Sequence, residues 1–224
     1  MSSLALTSIT NFILAAEVLF LAGILAGVPK ARFSAAWYWA GMLLLLGLGA
    51  LIGGIDHGFV EPSNLPRYFI QRADWIVLGA MTFCVLMATA KQFFSPRVQR
   101  IFLVFGAIQF VANTVVILLV DSFLAVSLNY APVLILLLSI NSIRLRSGVG
   151  SWQMTAGILI LFAATGIQVS GVDYFSPLDH NGLYHLVTMI GVLFLYVSGR
   201  RMKGYMDGAS PLQIPRHAVT PGRE

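Results

Sequence analysis

Seven apolar runs dominate this chain, at about 8–28, 34–57, 72–92, 98–120, 123–143, 150–171 and 181–199. Each is close to the roughly 20 residues that an α-helix needs to cross a bilayer. None alternates apolar with polar residues as a membrane β-strand does. Composition agrees: 58% hydrophobic and 10% charged residues stand against about 45–50% and about 25% in soluble domains. The expected fold is all-α, a polytopic membrane protein with a seven-helix domain over 1–204. The stretch 205–224, rich in Gly, Pro and charge, reads as a flexible tail.

A pI near 9.7 would suit nucleic acid, but the basic residues punctuate the apolar runs and form no stripe interleaved with stacking aromatics. No nucleic-acid partner is expected. Of the 14 Lys and Arg residues, all but Arg67 and Arg72 fall on one side of the seven runs or in the tail. The positive-inside rule then places the N-terminus outside and the C-terminus in the cytoplasm, in the cell's inner (plasma) membrane. Met1-Ser2-Ser3-Leu4 lacks the positive start of a cleaved signal, so the first run is expected to be a retained helix. The one cysteine, Cys84, excludes an internal disulfide and a Cys-rich zinc site. Trp37, Tyr38, Trp39 and Trp152 at the cytoplasmic ends, with Tyr68, Phe69, Tyr174 and Phe175 at the outer ends, read as interfacial anchors.

Ionisable groups inside membrane segments are costly and mark either function or a structural pair. Here they are Glu17, Asp56, His57, Asp74 and His185, with His180 at the mouth of the seventh run. The topology brings the end of the second run and the starts of the third and seventh to one outer level. Three of the four histidines therefore meet there with a carboxylate, and neutral imidazole is a favoured zinc ligand. The alternative for each histidine alone is an interfacial hydrogen bond. Gln109, Asn113, Asn129, Gln168 and Ser170 share the outward bias, either as interhelical hydrogen bonders or as the lining of an outward cavity. Gly41, Gly47, Gly49, Gly53 and Gly54 in the second run read as close helix-packing positions.

A histidine closing the second run, an aspartate early in the third and His180-Asn181-Gly182-Leu183-Tyr184-His185 opening the seventh resemble one superfamily. It is the seven-helix zinc-dependent membrane hydrolase group that contains alkaline ceramidases and progestin/adiponectin receptors. The resemblance implies that His57, His180 and His185 bind Zn2+, and that Asp74 orients or deprotonates the metal-bound water. It implies hydrolysis of a membrane lipid amide or ester. Asp56, Asn181, Tyr184, Glu17 and Asn113 are then candidates for supporting the ligands or lining the substrate cavity. Two departures stand out. The family spaces its last two histidines four apart, but here they are five apart, about 140° around a regular helix instead of about 40°. His180 must lie outside the regular helix, or Asn181 takes its place. The family's serine four before the second-run histidine is Gly53.

Two other functions compete. A non-enzymatic seven-helix receptor or metal-stabilised membrane protein shares the architecture, which does not fix chemistry. A transporter or haem protein has less support, and the lack of an interior lysine in the seventh run argues against a retinal protein. For Asp74, the competing accounts are an ion pair with Arg72 and a cap on the first turn of the third helix.

Overall fold

The structure, a computed structural model, describes residues 3–60, 65–173 and 175–206. Its order is α1 (Ser3–Gly27), α2 (Ala35–Phe59), α3 (Leu65–Phe93), α4 (Pro96–Leu119), α5 (Phe123–Ile143), α6 (Trp152–Ser170) and α7 (His180–Gly199). All seven are long and apolar enough to cross a membrane. The caps follow the chemistry of free N–H groups at helix starts. Ser34 accepts from the Trp37 N–H, Ser151 from Met154 and Asp179 from Gly182.

Six helices close into a ring, α1–α2–α3–α5–α6–α7, because α7 returns to pack on α1. The remaining helix, α4, rests on α3 and α5 from outside. Ile101, Val104, Phe105, Ile108 and Val111 of α4 are all more than half exposed. Apolar side chains on that scale suit hydrocarbon rather than water. The core runs through Val18, Leu25, Leu43, Leu86, Leu137, Ile158 and Val192.

The glycines of α2 do the expected packing work. A Cβ at Gly47 would lie 2.8 Å from Leu19 Cδ1's twin methyl, Cδ2, and one at Gly54 would lie 2.9 Å from Phe12 Cε1. Absent those methyls, α1 sits directly against α2.

Four local expectations need correction. α3 starts at Leu65, earlier than the run at 72, because its polar first turns are held by contacts a hydropathy pattern does not register. Arg72 lies 4.7 Å from the centroids of both Tyr68 and Trp75 and pairs with Asp121 at 3.0 Å. Asp74 is therefore inside α3 rather than in its first turn, so it caps nothing and has no ion pair with Arg72. Trp39 is 1% exposed and no interfacial anchor: its indole N–H donates to Leu195 O at 3.2 Å. The chain after α7 folds back on the α1–α2 connection as far as residue 206. Ala31 N donates to Gly204 O at 2.8 Å, Met206 N donates to Pro29 O at 3.2 Å, and Gly204 (φ +111°) approaches Ser34 too closely for any side chain. The rest of the expected tail, 207–224, and Tyr174 lie outside the described residues.

Candidate functional site

At the end of the bundle where α2 finishes and α7 begins, a cavity of about 210 Å3 opens between the helices. Asp56 and His57 come from α2, Asp74 from α3, and Asn181, Tyr184 and His185 from α7. All six were singled out in the sequence. With liquid water occupying roughly 30 Å3 per molecule, the space suits several waters or a small polar group.

The imidazole of His185 is held in one orientation. Its Nδ1 lies 3.0 Å from Thr10 Oγ1, while Thr10 Oγ1 donates its own proton to Thr7 O at 2.9 Å. With that proton committed, the hydroxyl oxygen accepts and His185 Nδ1 donates. Nε2 then carries a lone pair. Thr7 Oγ1 also donates to both oxygens of Asp179, at 2.7 and 2.8 Å, so the capping carboxylate ties the start of α7 to α1.

Several polar atoms at the cavity have no such partner. His57 Nδ1, Asp74 Oδ1 and Gln168 Oε1 are buried without a hydrogen bond among the described residues. Asp56 Oδ1 lies 3.4 Å from Arg67 Nε, an ion pair without hydrogen-bond geometry. Buried polar groups are seldom left unpaired, and the exceptions concentrate where a group serves chemistry, binding or strain.

Three expected members lie elsewhere. His180 is the first residue of α7, so the five-residue offset holds on a regular helix. Its ring faces away, and Nδ1 donates to Asp173 Oδ1 at 2.8 Å. Hydrogen bonds from the His180 ring and backbone hold the Asp173 carboxyl below its ordinary value. Asn181, four before His185, lines the cavity instead. Glu17 is half-buried on α1 with Oε1 unpaired and is not among the lining residues. Asn113 is buried against α3, where a Cβ at Gly79 would lie 2.8 Å from its Nδ2. Gln109, by contrast, donates to Asn129 Oδ1 at 3.0 Å across α4 and α5.

Sequence reasoning missed Thr7, Thr10, Asn11, Gln71 and Asp179. The hydroxyls three apart on α1, and an aspartate directly before the seventh run, are the signals that were there to be read.

Residues 6–204 match a family of unknown function, DUF6962. The chain belongs to DUF6962. No curated protein and no solved structure matches it. The DUF6962 span takes in every cavity residue, from Asn11 on α1 to His185 on α7.

Whether this DUF6962 chain's residues suit zinc is a question of donor type and of distance. Among the described residues, no three His, Cys, Asp or Glu side chains converge tightly enough to hold a metal ion. In type the donors fit. Two imidazoles and two carboxylates line one cavity, with His57 Nδ1 and Asp74 Oδ1 buried and unpaired. Zinc-bound histidines usually give their other ring N–H to an acceptor. His185 gives Nδ1–H to Thr10, and His180 gives it to Asp173.

Proposed function

We propose that the protein is a zinc-dependent membrane hydrolase acting on a lipid amide or ester, with its site toward the outer face and its C-terminus in the cytoplasm. One observation carries the reading. The polar cavity shares Leu46, Leu78, Phe123 and Tyr184 with a second, apolar cavity that runs deeper between the helices. That inner space is walled by residues such as Met42, Val85, Leu134, Leu137 and Ile158. The inner space is about 70 Å3, room for the first few carbons beside a scissile group held in the polar cavity. The rest of an acyl chain would have to pass between helices into the bilayer.

His57 and His185 would hold the metal. The third place would fall to Asn181, which already lines the cavity, unless His180 left Asp173 and turned its ring inward. When bound, zinc would polarise the scissile carbonyl and lower the pKa of a water to about 7.

Asp74 takes the proton as the water oxygen attacks the carbonyl carbon, and returns it to the leaving nitrogen or oxygen as the bond to carbon breaks. A general base must be within hydrogen-bond reach of the proton it removes, and Asp74 Oδ1 has no protein partner competing for it. Thr10 holds His185 in place, and Tyr184 stands where the polar and apolar spaces meet.

The test is elemental analysis of the purified full chain with a hydrolysis screen over ceramide-like amides and acyl esters. Wild type should carry zinc and turn over. Asp74→Asn should keep zinc and lose about 10²-fold or more in rate, the usual scale for a general base. Normal hydrolysis by Asp74→Asn would overturn the mechanism, and zinc without turnover of any substrate would favour a receptor.

A further inference from the structure

A different cavity, of about 280 Å3, lies at the opposite end of the bundle. Gln92 of α3, Asn141 of α5, Ser151 at the start of α6, Ser198 of α7, Arg201 and Lys203 are in its wall. The wall is firmly built. Asn141, 2% exposed, accepts from Ser151 N at 2.9 Å and donates to Ser151 O at 2.8 Å. It thereby pins the connection between α5 and α6. Gly150 lies so close to the backbone of Asn141 and Leu145 that a side chain has no room. Across the space, Gln92 Oε1 accepts from Lys203 N at 2.9 Å.

This wall is rich in donors. Among the described residues, no Asp or Glu lines the cavity, and neither Arg201 nor Lys203 has an ion-pair partner. Ser198, only 4% exposed, places a hydroxyl-bearing side chain in the cavity wall. Gln92 is 7% exposed; its oxygen is engaged by Lys203 N, which leaves the amide N–H groups for the cavity. The first turn of α6, capped by Ser151, adds the partial positive charge of a helix N-terminus. Two cations, a hydroxyl and an amide with no acid among them complement an oxyanion with several acceptor oxygens.

We propose that this cavity binds a phosphoryl oxyanion, either free phosphate or the phosphomonoester headgroup of a membrane lipid. A monoester carries close to two negative charges at pH 7, matching Arg201 and Lys203. A choline headgroup would bring a cation of its own against them. The site is separate from the His57 cavity, and its occupancy does not depend on the hydrolase reading.

The experiment titrates the purified full chain in detergent with inorganic phosphate and, separately, with dioctanoyl phosphatidic acid, following heat of binding and the unfolding temperature. Both probes are compared with dioctanoyl phosphatidylcholine. Wild type should bind phosphate or phosphatidic acid and discriminate against phosphatidylcholine. Equal binding of phosphate and phosphatidic acid assigns a free oxyanion; a preference of roughly tenfold or more for phosphatidic acid assigns a lipid headgroup. Arg201→Gln with Lys203→Gln should weaken binding by about tenfold or more, and Ser198→Ala by a smaller factor. The Lys203 backbone bond to Gln92 survives these changes, so the fold is kept. Arg97→Gln with Arg100→Gln removes the same charge away from the cavity and should leave binding intact. An equal loss in that control, binding of phosphatidylcholine as tight as the other probes, or no binding by wild type would overturn the proposal.

Discussion

Thr10 and His185 are 175 residues apart in sequence and 3.0 Å apart in the fold, and the bond between them runs from imidazole to hydroxyl. The direction follows from Thr7 O, which takes the Thr10 proton. One side chain on α1 thus decides which nitrogen of an α7 histidine is left bare.

Thr10→Val keeps the shape of the side chain and removes the acceptor. The buried His185 Nδ1–H then has no partner, a loss of about 1–3 kcal/mol. Thermal unfolding should register it. Zinc affinity or hydrolysis should fall by about 10–100-fold, as when the outer partner of a metal-bound histidine is removed. Thr10→Ser, which restores the oxygen, should recover most of both. A Thr10→Val protein of unchanged stability and activity would show that the bond orients nothing.

Gly49 and Gly23 make a matched pair. A Cβ at Gly49 would lie 2.9 Å from Leu78 Cδ2 and 3.1 Å from Asp74 Oδ1, whereas one at Gly23 meets nothing within 4 Å. Gly49→Ala should destabilise by about 1–3 kcal/mol through overpacking and should lower hydrolysis by displacing Asp74. Gly23→Ala should stay within about 0.5 kcal/mol of wild type or gain slightly from helix propensity. Chemical denaturation of both proteins, with rates alongside, checks the contrast.

Asp173 gives a pH dependence whose sign can be worked out. Its carboxyl is held below the ordinary value by hydrogen bonds from His180. The stabilisation is fully present above the unfolded-state aspartate value of about 3.9 and is lost as pH falls through the lower folded-state value. The His180 ring should therefore stay tethered at neutral pH and be released only in strong acid. Histidine-selective NMR of the ring carbons would follow it. In Asp173→Asn the low-pH transition of His180 should vanish.

Orientation is tested by single cysteines in a Cys84→Ala background. Val172→Cys and Ser147→Cys are both at exposed positions, in the α6–α7 and α5–α6 connections respectively. An impermeant maleimide added outside intact cells should label Val172→Cys and spare Ser147→Cys. The reverse pattern would invert the topology.

The helices and the centre of the polar cavity were readable because a charge in a hydrocarbon segment is conspicuous. Asp56, His57, Asp74 and His185 each interrupt an apolar run, and they converge on one space. The start of α3 was hidden because Arg67, Gln71 and Arg72 look like a loop until Asp121, Tyr68 and Trp75 are seen around Arg72. Trp39 misled for the opposite reason. Two positions after the exposed Trp37 lies another face of the helix, turned inward to Leu195. Thr7 and Thr10 gave little warning, since a hydroxyl in an apolar helix is usually content to bond its own backbone. His180 was placed by its residue type, but its register on α7 sends it to Asp173.

The seam between α1 and α7 also has a history within each molecule. The ribosome makes Thr10 well before His185, 175 positions further along the chain. At roughly 5–20 residues per second, the first helix waits about 9 to about 35 seconds before its partner emerges. Until then Thr7 lacks Asp179, Thr10 lacks His185, and the cavity stands open along one side. The polar cavity is thus the last part of the seven-helix bundle to be completed, and no nascent chain that stops short of α7 possesses it.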